Sequence, residues 1–121
     1  MYTLDYLPSA FEDMVAIARY VGVELKAPDA AERLAAKLIA AVENACEFPY
    51  AAPLYVPIKA LKYEYRKLVV QNYLVFYRVD EAQKRITVSR VIYGGRNHSL
   101  LLEKDAEAQT SDERQDESSP V

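Results

Sequence analysis

Apolar and polar positions alternate at the start of the chain, where Thr3 and Asp5 separate Tyr2, Leu4 and Tyr6. A period of two belongs to a half-buried strand, and Pro8 ends it. The period then lengthens: Phe11, Met14, Val15, Ala18 and Val21 recur three or four residues apart. This spacing predicts a first helix over about 8–22, with proline tolerated in its first turn. After Gly22 and Pro28, the run D-A-A-E from Asp29 to Glu32 has the spacing of a helix start at which two side chains satisfy free backbone N–H groups. A second helix is predicted over about 29–47, burying Leu34, Leu38, Ile39, Val42 and Cys46.

Between Phe48 and Lys59 stand Pro49, Pro53 and Pro57 with no helical period, so this stretch reads as an extended connector. Alternation then returns three times. Leu61, Tyr63 and Tyr65 alternate with Lys62, Glu64 and Arg66; Tyr73, Val75, Tyr77 and Val79 with Leu74, Phe76 and Arg78; Ile86, Val88, Arg90 and Ile92 with Thr87, Ser89, Val91 and Tyr93. Gln71-Asn72 and the run 80–84 suit hairpin turns, which makes the three strands antiparallel neighbours. Apolar residues on both faces of 73–79 place that strand centrally, packed on helices on one side and partly covered on the other. A short last helix from His98 to about Lys104 brings Leu100, Leu101 and Leu102 to the core. The fold class is therefore α+β, in the order β-α-α-β-β-β, with two N-terminal helices on a mostly antiparallel four-stranded sheet. Residues 1–104 form the domain, and 105–121, almost without apolar side chains, are expected to be an acidic disordered tail.

Length and composition narrow the classes. At 121 residues with 51% hydrophobic content, the chain suits one domain with its own core. No run approaches the roughly 18 apolar residues of a membrane span, and no basic-then-apolar leader opens the chain, so a cytoplasmic location without membrane association is expected. The single Cys46 excludes an internal disulfide or a multi-thiolate metal site. Flanked by Glu43 and Glu47, it reads as a small apolar residue rather than a reactive thiol.

Charge is unevenly spread. Residues 1–58 carry four basic groups against eight acidic ones, residues 103–121 two against seven, and residues 59–96 nine against three. The last segment has a local net of +6 although the whole chain carries −3. An anion responds to the local field, so the run from Tyr65 to Leu102 reads as a cationic sheet face. Its candidate partners are nucleic acid, a phosphate ester or an acidic protein. Lys62, Arg66, Lys67, Arg78, Arg90 and Arg96 are the candidate anion-binding residues. A second reading stands beside this one: Arg66, Arg78 and Arg90 cover the sheet with their stems while their heads pair with Glu64, Asp80 or Glu81. Tyr63, Tyr65, Tyr73, Tyr77 and Tyr93 likewise either stack bases or sit in the core. Gly94-Gly95 lacks the context of a phosphate loop and reads as a turn into the last helix.

Five segments carry a family resemblance over about residues 2–102. They are the opening strand with Tyr6, Pro8, Ala10 and Asp13; F-P at 48–49; Y-R-K-L at 65–68; N-Y-L-V-F-Y-R-V at 72–79; and R-V-I-Y-G-G-R-N-H-S-L-L-L at 90–102. In that order they resemble the RelE/ParE superfamily of toxins from bacterial type II toxin-antitoxin systems, also called plasmid-stabilisation proteins. The resemblance implies the same β-α-α-β-β-β fold, no cofactor and no metal, and an antitoxin as partner. It leaves the target open between DNA gyrase, as in the ParE-like branch, and mRNA on the ribosome, as in the RelE-like branch.

Cleavage of RNA through its 2′-hydroxyl needs a proton acceptor, a proton donor and cations on the phosphate. Against the ribonuclease branch, Arg66 and Arg96 match basic positions and His98 is the only imidazole. These three are the candidate catalytic residues. Leu68, Leu74 and Leu102 stand where that branch carries a lysine, an arginine and a tyrosine. The resemblance therefore implies a growth-inhibiting toxin nearer the ParE-like or plasmid-stabilisation branch. The alternatives are a metal-independent endoribonuclease and an inactive binding module.

Overall fold

The computed structural model describes residues 1–57, 60–94 and 101–102. Its elements are β1 (Thr3–Tyr6), α1 (Pro8–Arg19), a π-helical turn Tyr20–Glu24, α2 (Pro28–Glu47), β2 (Arg66–Val70), β3 (Tyr73–Asp80) and β4 (Arg85–Tyr93). Two helices pack on one face of a four-stranded sheet ordered β1-β4-β3-β2. The expected α+β order is thus present. β2, β3 and β4 are antiparallel neighbours, and only β1 runs parallel to its partner β4.

Local chemistry explains the helix ends. Pro8 and Pro28 occupy first-turn positions of α1 and α2, where the missing N–H costs nothing. The expected reciprocal cap at Asp29 and Glu32 does not form: α2 begins one residue earlier, Ala27 stands at the cap position, and no side chain caps the helix. Asp29 instead lies inside the first turn, where its charge favours the helix dipole. The first helix was expected to reach about residue 22, but α-helical geometry ends at Arg19 and continues as the π turn.

The buried stripes are narrower than periodicity suggests. Ala10, Leu34, Leu38, Val42 and Cys46 form the helix side of the core with Val75, Tyr77, Ile86 and Val88 of the sheet. Phe11, Val15 and Ile39, which the spacing assigned to buried faces, are 63%, 44% and 43% exposed. They lie at the margin of each stripe, where a helix resting on a narrow sheet leaves its flank uncovered. Full burial of each aliphatic side chain such as Ile86 or Val88 contributes about 1.5–3 kcal/mol.

β3 and β4 are covered on both faces. On the side away from the helices, Tyr65, Phe76, Ile92 and Leu102 form a second buried cluster, with Tyr55 set edge-on to Phe76 at 5.0 Å. Leu102 is fully buried, as expected, and Leu101 and Leu102 are helical. The rest of the expected last helix and the acidic tail lie outside the described residues.

Strand 2 is shorter than its alternation. The pattern from Leu61 predicted a strand there, yet β2 starts at Arg66. The preceding residues follow the connector instead: Tyr55 N–H donates to the Tyr65 carbonyl at 2.9 Å and Lys67 N–H to that of Pro53 at 3.0 Å. Both predicted hairpins form. Gln71 (φ 55°) and Lys84 (φ 53°) hold the left-handed backbone their turns require. Gly94 has no positive φ; its N–H closes the β2–β3 end by donating to the Asn72 carbonyl at 2.9 Å. Gly95 lies outside the described residues.

One irregularity sets a side chain's direction. The β3–β4 register shifts between Phe76 and Tyr77, which pair with Arg90 and Val88 and leave Ser89 as a bulge. Bulges re-aim the residues beside them. Two residues of α1 hold this one: Ser9 Oγ donates to the Ser89 carbonyl at 3.1 Å, and Asp13 accepts from Val91 N–H at 2.9 Å.

Candidate functional site: an arginine cavity at one end of the sheet

The β3–β4 turn and the start of β2 meet at one end of the sheet. Alternation puts Arg66, opposite Tyr77, and Arg78, opposite Thr87, on different faces, yet both reach a cavity of about 580 Å³ at this end. Arg85, the first residue of β4, completes the set. Tyr50 and Tyr63 line the same cavity, and Glu64, Asp80 and Glu81 supply carboxylates to its walls.

Each arginine is held differently. Arg66 Nη1 donates to the carbonyls of Ala52 at 2.7 Å and Tyr50 at 3.3 Å, and its guanidinium lies over the Tyr50 ring at 4.9 Å. It therefore clamps the connector to β2 as well as facing the cavity. Arg78 stacks on the Tyr63 ring at 4.0 Å, a cation–π geometry. Its Nε is buried and has no hydrogen-bond partner. An unmade buried hydrogen bond of this kind costs about 1–3 kcal/mol. Arg85 pairs with Asp5 at 3.3 Å, with both side chains about half exposed, so the pair contributes little and opens readily.

The carboxylates are mostly engaged in the turn. Asp80 accepts from Gln83 N–H at 3.0 Å. Glu81 accepts from the Tyr2 hydroxyl and pairs with Lys84 at 3.2 Å. The Tyr2 hydrogen bond, then Lys84, holds the Glu81 carboxyl below the usual range. Glu64 is exposed at the rim.

The remaining sequence candidates divide. Lys62 is exposed, its Nζ 5.4 Å from the Tyr63 ring centroid. Lys67 lies 5.9 Å from the Tyr55 ring. Arg90 leaves the group altogether. Its Nε and Nη2 donate to the two Asp13 carboxylate oxygens at 2.7 and 2.8 Å, and the side chains are only 14% and 16% exposed. The expected single cationic face is therefore not what the sheet presents: its arginines are shared between a cavity and a buried pair. Arg96 and His98 lie outside the described residues.

Several contributors had no clear signature in sequence. Arg85 was visible only as one charge within the +6 segment. Tyr50 enters because the connector folds back on β2; Asp13 stood in the sequence only within the family resemblance, and its pairing with Arg90 follows from the bulge that turns Arg90 toward α1. Among the tyrosines, Tyr65 and Tyr77 are core residues at 1% exposure. Tyr77 donates to the Pro49 carbonyl at 2.7 Å, and burial raises its pKa and that of Tyr73. A phenol whose pKa is raised stays protonated near neutral pH. The cavity presents three guanidinium groups, with Arg66 and Arg78 held in place and Arg85 in an exposed ion pair. Among the described residues, no group of three or more His, Cys, Asp or Glu is placed to hold a metal ion, and no helix is long and apolar enough to cross a membrane.

The family model of the ParE toxin of the type II toxin-antitoxin system parDE matches residues 4–98. The chain belongs to the ParE toxin family. Among solved structures, a chain of the chromosomal ParDE TA system from P. aeruginosa shares the fold with a TM-score of 0.58 and 21% identity, covering 77% of this chain and 96% of that one. No curated protein matches. Membership in the ParE family agrees with the branch indicated by the leucines. Leu68 and Leu74 lie on β2 and β3 in the sheet ladder, and Leu102 is wholly enclosed.

Proposed function

We propose that this ParE-family toxin arrests growth by acting on DNA gyrase and is silenced by a cognate antitoxin. The observation that carries the reading is the aliphatic character of Leu68, Leu74 and Leu102, with Leu102 fully buried, at positions where the RNA-cleaving branch carries a lysine, an arginine and a tyrosine. A hydrocarbon side chain neither transfers a proton nor stabilises a phosphorane. The family match over residues 4–98 supports the toxin class and its pairing with an antitoxin.

A surface suited to the antitoxin lies on the helix side. Leu4, Tyr6, Phe11, Met14 and Ile39 line an apolar groove of about 340 Å³ beside β1, an edge strand of the sheet. Edge strands and apolar grooves receive extended or amphipathic segments that fold on binding. The exposed Phe11 and Ile39 are the anchors of this reading.

The test is expression of the full chain in a bacterium while DNA breaks, plasmid supercoiling and transcript integrity are followed together. Gyrase-dependent breaks or loss of supercoiling with intact transcripts, both relieved by the antitoxin, are expected. Rapid transcript cleavage with intact DNA overturns the reading in favour of a ribonuclease, and absence of growth arrest overturns the toxin activity itself.

A further inference from the structure

The arginine cavity takes no part in the proposed gyrase reading, and it lies at the opposite end of β3 from Leu74. Its volume of about 580 Å³ falls in the range of small-molecule sites. Arg78 is held against Tyr63 at 4.0 Å, so little side-chain freedom remains to be lost on binding. Its Nε lacks an acceptor. Arg66 is fixed by two carbonyls, and Arg85 is tied only by an exposed ion pair. Thr87 and Gln83 add neutral donors to the lining.

We propose that this cavity is a binding site for a small phosphate ester of nucleotide size, its phosphate seated on Arg78 and Arg85. A carboxylate is satisfied by the fork of one guanidinium, whereas a phosphate has further oxygens that use the additional donors. The phosphate oxygens are received by the cavity-facing part of the Arg78 guanidinium, whose Nε is itself buried, and the rings of Tyr50 and Tyr63 flank the organic part of the ester. Glu64, Asp80 and Glu81 decide the size of the ligand. One compact phosphate reaches the arginines past them, but a continuous polyanion meets their repulsion along its length. The ligand is therefore a small molecule rather than a nucleic-acid strand.

The test titrates the ¹⁵N-labelled full chain with adenosine monophosphate, inorganic phosphate, acetate and a ten-base single-stranded DNA, reading the Arg78 Nε–H resonance in the unsubstituted chain and the backbone amides of Gln83 and Thr87 in every variant. A saturable shift with the nucleotide is expected, with a Kd below about 1 mM, weaker with phosphate and absent with acetate. Arg78→Gln should weaken nucleotide binding about tenfold or more. Should that variant fold poorly, Arg85→Gln at the exposed rim keeps the fold and weakens binding about threefold. No saturable shift with the nucleotide, binding unchanged by both substitutions, or tighter binding of the DNA than of the nucleotide would each overturn the proposal. These readouts involve neither gyrase nor toxicity, so they stand or fall apart from the reading above.

Discussion

Asp13 on α1 holds Arg90 on β4 by a two-pronged ion pair, with Nε–Oδ2 at 2.7 Å and Nη2–Oδ1 at 2.8 Å, and the same carboxylate accepts Val91 N–H at 2.9 Å. One side chain thus satisfies both the cation that the bulge re-aims and the backbone group next to it. Because both partners are largely buried, removing one leaves an uncompensated charge. Asp13→Ala is expected to destabilise the fold by about 3 kcal/mol, read as a lower urea midpoint. Asp13→Asn should lose less, since its amide oxygen still accepts from Val91. A double-mutant cycle with Arg90→Met showing no coupling would refute the pairing.

The connector is fastened at a second buried point. Tyr77 Oη donates to the Pro49 carbonyl at 2.7 Å, and both residues are buried. Tyr77→Phe keeps the ring but orphans that carbonyl, so a loss of about 1–2 kcal/mol is expected. An unchanged midpoint in chemical denaturation contradicts the assignment.

Stability should depend on pH through the exposed cluster of Tyr2, Glu81 and Lys84. Hydrogen bonding to Tyr2, then Lys84, lowers the Glu81 pKa, so its contribution is complete above the unfolded carboxylate value and fades as pH falls through the lower folded one. Contact with Glu81 first of all raises the pKa values of Tyr2 and Lys84. Their contribution is present below their unfolded values and fades as pH rises through the folded ones. Glu81→Gln should flatten both limbs of the stability profile. Midpoints measured at pH 3, 7 and 11 decide this, and parallel profiles for the two proteins count against it.

Cys46 is a core residue whose thiol pKa is raised by burial first and by Glu43 second. The folded chain should react with a disulfide reagent at pH 7 far more slowly than the urea-unfolded chain. Equal rates would mean that the thiol is open in the folded state.

Phe11→Asp and Ile39→Asp place charge on the exposed apolar groove without touching the core. Both variants should fold normally and remain toxic while the antitoxin no longer protects the cell. The measurement is growth during co-expression, and full protection by the antitoxin tells against the groove as its seat.

The sequence by itself determined the element order, both hairpins, the central place of β3 and the fate of Cys46. Each of these follows from local periodicity or turn chemistry, which nearest neighbours along the chain control. Tertiary structure decided the rest. The end of the alternation at 61–65 gave way to the connector, which pairs with β2 from outside. The exposure of Phe11, Val15 and Ile39 depends on how much of each helix the narrow sheet covers. Charge counting located the cations but not their roles, because a guanidinium reaches several ångströms and its partner is set by whatever folds within that reach. For Arg90 that partner is Asp13, seventy-seven residues earlier; for Arg66 it is the connector; for Arg78 it is a tyrosine ring over an open cavity.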